Sequence, residues 1–170
     1  SGVVPDIITL GKSIGNGHPL SVVITKKNIA DVFNNGMEYF NSFGGNPVSC
    51  EIGQAVLDVI KEEKLQENAS IIGNHLLDGL KNIQKKYNII GDVRGRGLFI
   101  GIELIKDMVN MVPAADEAEI VVNAMKKKGI LISSDGPDHN VLKIKPPLVF
   151  NKKNANYFLE SFEAVISKNF

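Results

Sequence analysis

Two short runs of β-branched and apolar residues, 3–8 and 20–25, lie so close together that they dictate how this chain begins to fold. Continuous apolar runs of this length read as strands buried on both faces of a sheet. The segment between them is too short for the crossover that joins parallel neighbours. Either the two strands pair antiparallel, or their sheet partners lie outside this sequence. The first run passes through Asp6-Ile7-Ile8-Thr9-Leu10-Gly11 and ends on Lys12, which opens into the glycine-rich turn Ser13-Ile14-Gly15-Asn16-Gly17-His18-Pro19. An amine presented at the end of a strand can condense with an aldehyde.

The remaining pattern alternates helices with a second sheet region. A short helix is expected over 27–33, then a loop through Asn41-Ser42-Phe43-Gly44-Gly45 that ends in a helix start, with Asn46 as N-cap and Pro47 as the first helical residue. Val48, Ile52, Ala55, Val56, Val59 and Ile60 form a stripe of helical period opposite Glu51, Gln54, Asp58 and Lys61. A second helix steps through Leu65, Ala69, Ile72, Leu76, Leu80, Ile83 and Tyr87, weakened slightly by Gly73 and Gly79. Leu98, Ile100, Ile102 and Leu104 then alternate with period two, the signature of a strand. A helix over 116–128 follows, its three terminal lysines complementing the carbonyl end and Gly129 closing it. Strands are expected at 130–133 and 141–145 around a turn at 134–138, and a last helix capped by Asn151 buries Phe158, Leu159, Phe162, Val165 and Ile166.

Charge and cysteine content narrow the function classes. Nineteen basic residues balance nineteen acidic ones, so no field of one sign recruits nucleic acid or an anionic membrane. Cys50 is the only cysteine, which excludes an internal disulfide and a cysteine-built zinc site and fits a reducing compartment, with cytoplasm the default expectation. No apolar run approaches a membrane span, and no targeting segment is visible. His18, His75 and His139 lack the spacing of metal ligands. Gly15-Asn16-Gly17 lacks the third glycine of a dinucleotide fingerprint and has no βαβ context.

Read together, Lys12, the Gly-Asn-Gly-His-Pro string and the Ser42-Phe43-Gly44-Gly45-Asn46-Pro47 run resemble class III aminotransferases, enzymes of the fold type I pyridoxal phosphate group. The resemblance implies an α/β fold. Residues 1–60 would be a remnant of the large cofactor-binding domain with a long interdomain helix, and residues 61–170 a complete α+β small domain at the C-terminal end of such an enzyme. It also implies that Lys12 holds pyridoxal phosphate as a Schiff base and acts as general base and acid on an amine or amino acid substrate. Ser42, Phe43 and Gly44 would bind the cofactor phosphate of the partner subunit in a homodimer. Family members more often carry Thr at the Ser42 position. A hydroxyl and backbone N–H groups in a glycine loop at a helix start make a sound anion site. His18 reads as a turn-binding residue, and Arg94-Gly95-Arg96-Gly97 as a turn whose arginine supports the site indirectly.

Residues 141–145 bear on substrate class. In family members acting on amino acids the position of Lys143 is commonly an arginine that grips a carboxylate, a planar task for which lysine is a poor substitute. Asp135-Gly136-Pro137 followed by 140–147 looks like the phospho-lyase branch, which acts on ethanolamine phosphate or phosphohydroxylysine, and a compact ammonium suits a tetrahedral phosphate. Transamination is the broad expectation and phospho-lysis the specific alternative. A non-catalytic α+β interaction module, with Lys12 and Ser42 incidental, is the reading from another class. The family's cofactor-pairing aspartate lies further upstream of the lysine than this sequence reaches, and Asp6 is too close along the strand to serve. The chain is therefore expected to be a piece of the enzyme, inactive alone.

Overall fold

The computed structural model describes residues 2–170, and the chain divides into two compact units that meet in sequence between Glu63 and Lys64.

In the first unit, β1 (Ile7–Leu10) and β2 (Val22–Thr25) pair antiparallel, with Ile7 opposite Thr25 and Leu10 opposite Val22. A 3-10 turn, Lys12–Gly15, joins them. The two strands therefore pair antiparallel. Both strands are shorter than the apolar runs, and they are not buried on both faces: β1 is exposed throughout. Among the described residues this two-stranded ribbon has no further sheet neighbour, and within this unit the long helix packs on the 3-10 turn instead. Helix α1 (Lys27–Phe33) is short and carries no buried residue.

Helix α2 (Pro47–Glu62) starts as its sequence dictates. The Asn46 side chain accepts from the N–H groups of Val48 and Ser49 at 3.0 and 3.2 Å, and Pro47 occupies the first turn, where its missing donor costs nothing. Its apolar stripe is only half covered: Ile52, Val56 and Ile60 are partly buried, whereas Val48 and Val59 are exposed. Only Gly53 is fully buried, because Leu20 presses on it so closely that a Cβ there would lie 2.6 Å from Leu20 Cδ2.

The second unit holds the hydrophobic core. Helix α3 (Leu65–Gln84) contributes Ile72, Leu76, Leu80 and Ile83, the predicted 3.6-residue stripe. Strands β3 (Ile90–Arg96) and β4 (Phe99–Asp107) form a hairpin turned by Gly97 and Leu98, and β5 (Val112–Pro113) pairs with the far end of β4. After α4 (Ala115–Lys127) come β6 (Ser133–Asp135) and β7 (Val141–Ile144), and α5 (Lys152–Asn169) closes the unit. The sheet order is β3-β4-β7-β6, all antiparallel, with β5 beside β4. Ile100, Ile102, Leu142 and Ile144 alternate onto the face covered by the helices, and share one core with Phe162 and Val121.

Three local expectations shift. Arg94, Gly95 and Arg96 lie in β3, not in a turn, because the tight turn falls at Gly97 with φ +56, leaving the arginines free to pair with β4. The strand expected at 130–133 begins only at Ser133. Ile130 is used up in ending α4, its N–H reaching Met125 O at 3.1 Å behind Gly129 with φ +76. The following turn accordingly falls at Gly136–His139, with His139 N–H donating to Gly136 O at 3.2 Å. Gly73 and Gly79, expected only to weaken α3, prove to be contact residues. A Cβ on Gly73 would lie 2.1 Å from Gly97 O, and one on Gly79 2.5 Å from Leu159 Cδ1.

Candidate functional site

In the first unit, β1 delivers Lys12 directly into the 3-10 turn, and the lysine adopts φ +52, in the left-handed region. That conformation costs a non-glycine residue about 1–2 kcal/mol and concentrates at functional sites. The side chain is exposed and makes no ion pair among the described residues. Asp6, the nearest carboxylate along the strand, is engaged elsewhere: it accepts from Lys26 Nζ at 2.6 Å. The turn is held by Gly15, buried against Leu20, and by His18, whose Nε2 lies 2.8 Å from Ser49 Oγ on α2. His18 therefore ties the lysine turn to the start of α2, where its sequence position suggested a bond within the turn itself.

The loop before α2 is organised by a residue that sequence reading passed over. Asn41 Oδ1 accepts from the N–H groups of Phe43 and Gly44 at 3.1 and 3.0 Å, and Asn41 Nδ2 donates to Tyr39 Oη at 3.2 Å. This side-chain bridge curls the loop as an Asx turn does. Gly44 fits closely beneath it, where a Cβ would lie 3.0 Å from Asn41 Cγ and push that side chain aside by a few tenths of an ångström, and Gly45 takes φ +69 to close the turn onto Asn46. Ser42 and Phe43 are left exposed at the N-terminal end of α2, and the Ser42 hydroxyl has no internal partner among the described residues. The only available signal for Asn41 was an Asn three residues ahead of a glycine pair.

The second unit carries the charged residues on the sheet face away from the helices. Lys143 on β7 stands opposite Gly101 of β4, and Gly101 opposite Arg94 of β3. Arg94 donates to Asp92 at 2.7 Å and to Glu103 at 2.6 Å, and these two bonds raise its already high pKa further. Lys143 Nζ pairs with Asp135, and the resulting hydrogen bond, helped by Gly136 N–H at 2.9 Å, holds the Asp135 carboxyl below the usual range. The sequence suggests a turn at Asp135, which instead ends β6. The β6–β7 register, with Ser133 opposite Lys143, makes it the lysine's diagonal neighbour. Buried Asn140 fixes the start of β7, its Nδ2 donating to Leu104 O at 2.8 Å while its own carbonyl accepts from Leu104 N–H at 2.9 Å.

The donor sets fit pyridoxal phosphate. The primary amine of Lys12, unpaired among the described residues, suits its aldehyde, and the Ser42 hydroxyl suits its phosphate, whereas the N–H groups of Phe43, Gly44, Val48 and Ser49 are already held by Asn41 and Asn46. The fold is that of part of a fold type I pyridoxal phosphate enzyme, a mixed α/β arrangement that solved transaminases reproduce over 98% of this chain. More narrowly, residues 1–166 match the class-III aminotransferase family, and the chain belongs to it.

Among its relatives is alanine–glyoxylate aminotransferase 2 homolog 2, mitochondrial, of Arabidopsis thaliana, 48% identical over 98% of this chain and 35% of that protein. A phospholyase from Arthrobacter, solved in complex with phosphoethanolamine, superposes with a TM-score of 0.93 at 40% identity, covering 98% of this chain and 39% of that one. An amine transaminase from an uncultivated Pseudomonas species, in its PLP-bound form, gives 0.85 at 30% identity, with coverage of 98% and 39%. The chain spans about a third of the length of the curated relatives it matches. Among the described residues no helix is long and apolar enough to cross a membrane.

Proposed function

We propose that this chain supplies the attachment lysine and a substrate-anchoring lysine to a pyridoxal phosphate-dependent enzyme that acts on an amine. Its first unit is taken as a piece of the large cofactor-binding domain and its second as the small domain. The observation that carries this reading is Lys12 itself: an exposed amine, unpaired among the described residues, held at φ +52 where a strand opens into a glycine turn. Bound there, the cofactor supplies an aldehyde that condenses with amines and an electron sink for the carbanion formed when a neighbouring proton is lost. Lys12 would hold it and move the proton at the substrate carbon that bears the amine. Ser42, Phe43 and Gly44 would bind the cofactor's phosphate from the partner subunit of a homodimer, Ser42 through its exposed hydroxyl, and Phe43 and Gly44 through N–H groups that would exchange the Asn41 side-chain carbonyl for the phosphate.

Amino-group transfer to a 2-oxo acid is the broad reading. A second reading, elimination of phosphate and ammonia from a phosphorylated amine such as ethanolamine phosphate, is favoured by one specific feature. The β7 position on the free sheet face carries the ammonium of Lys143, not a planar guanidinium, and a point charge matches a tetrahedral phosphate better than a flat carboxylate.

Two measurements on the whole protein test these readings. Borohydride reduction in the presence of pyridoxal phosphate, followed by peptide mass spectrometry, is expected to label Lys12 selectively. Label spread over many lysines would return the chain to the interaction-module reading. Phosphate release from ethanolamine phosphate without a keto acid supports elimination, and strict dependence on a keto acid supports transfer.

A further inference from the structure

We infer that Asp135 is an intramolecular competitor for Lys143: a tethered carboxylate that occupies the ammonium when no anionic group is bound and displaces such a group after reaction. The inference rests on the reading of Lys143 as an anchor for a phosphate or other anion. Asp135 and Lys143 are diagonal neighbours across β6 and β7 on the free face of the sheet, and they are paired directly. Each Asp135 oxygen has its own donor, Oδ1 the N–H of Gly136 and Oδ2 the lysine, so the carboxylate is aimed, not merely nearby. Gly136 at φ +84 fixes the turn that aims it.

The pair is not sealed off. The Lys143 side chain keeps 33% of its exposure and that of Asp135 56%. Gly101, directly across from Lys143, has no side chain, but Val141 Cγ1 leans over it, 3.3 Å from where a Cβ would stand, so an anion reaches the ammonium from the solvent side, where a third of the Lys143 side chain is open. Arg94 is already shared by two carboxylates, whereas Lys143 has one. Of the two cations in this row, Lys143 is the easier to win. A carboxylate carried on the same hairpin competes at an effective concentration set by its tether, not by solution, as any linked group does. It therefore weakens the hold on every anionic group and shortens the stay of a phosphate that has just been cleaved.

This account differs in sign from the ordinary structural one. If Asp135 only orients Lys143, removing its charge weakens anion binding. If it competes, removing its charge tightens binding. The test is titration of the whole, cofactor-loaded protein with inorganic phosphate, in the parent and in Asp135→Asn, Asp135→Ala, Lys143→Ala and the Asp135→Asn/Lys143→Ala double variant. Asn keeps the acceptor for Gly136 N–H, and Ala provides a second route should Asn form a new bond to the lysine. Competition predicts phosphate bound about two- to fivefold more tightly in both Asp135 variants, the scale of one partly exposed ion pair, and no change of Asp135→Asn in the Lys143→Ala background. Unchanged or weaker binding in both Asp135 variants overturns the inference, as does tightening that persists without Lys143. Lys143→Ala alone tests the reading beneath it: unaltered phosphate affinity there removes the anchor itself, whereas weakened affinity with no Asp135 effect removes only the competitor.

Discussion

Replacing Gly73 by alanine separates helix propensity from packing, because the two predict opposite signs. An interior helical glycine replaced by alanine should gain about 1 kcal/mol from propensity alone. In this structure the new Cβ would lie 2.1 Å from Gly97 O, 2.3 Å from Gly97 C and 2.6 Å from Gly97 Cα, all backbone atoms. Close carbon–oxygen contacts settle near about 3.3 Å, so α3 and the β3–β4 turn must part by roughly 1 Å. The turn cannot yield easily, since Gly97 sits at φ +56 and Leu98 beside it is buried. Overpacking of this kind costs about 1–3 kcal/mol, and a clash with backbone belongs at the upper end. The net expectation is a loss of about 2 kcal/mol after the propensity gain is subtracted. Two compact units make a single global transition an unsafe readout, so urea unfolding is best followed by hydrogen exchange at amides of α3 and β4. With a slope of about 1.5 kcal/mol/M, the midpoint should fall by somewhat more than about 1 M. A midpoint that stays or rises would refute the packing argument and leave propensity in charge.

Other substitutions probe separate links. Phe162→Ala empties a fully buried position in the core and should cost about 3–5 kcal/mol by the same exchange measurement. Asn46→Ala removes both cap bonds of α2 and should cost about 1 kcal/mol, seen as faster exchange at the Val48 and Ser49 amides with α3 unaffected. Asp107 accepts from Val109 N–H at 2.8 Å and from the Asn110 side chain, bonds that lower its carboxyl pKa in the folded chain. The unfolded chain therefore binds the proton first as pH falls. The charge's contribution is complete above the unfolded value of about 3.9 and is lost as pH drops through the folded one. Thermal midpoints of Asp107→Asn and the parent should differ by a constant amount near neutrality and converge below about pH 4. A gap that is the same at pH 6 and pH 3 would contradict this.

How much of this was legible in sequence depended on how local the cause was. The stripe of α3, the Asn46-Pro47 start and the alternation of Ile100, Ile102 and Leu104 follow from residues within a turn or two, and the structure has each of them. The ends of β6 were not legible, because Ile130 is claimed by the closure of α4, a competition between two neighbouring elements. Gly73 looked like a flaw in a helix until Gly97 was seen beside it, across a gap in sequence that no period reports. The candidate residues divide in the same way. Lys12, Ser42 and Lys143 announce themselves by motif. Asn41 and Asp135 act on them through side-chain bonds set by a loop turn and a strand register, and register is visible only once the strands are paired.

β7 carries two obligations on one strand. Leu142 and Ile144 face the helices at 0% and 4% exposure while Lys143, between them, faces away. Because the alternation has a period of two, adding or deleting a single residue in this strand exchanges the two sets, driving an ammonium toward Phe162 and turning two core side chains outward. The strand should therefore accept many replacements on its open side yet tolerate no change in length. Diversity among descendants of this sequence would then be written here in letters exchanged, never in letters gained or lost.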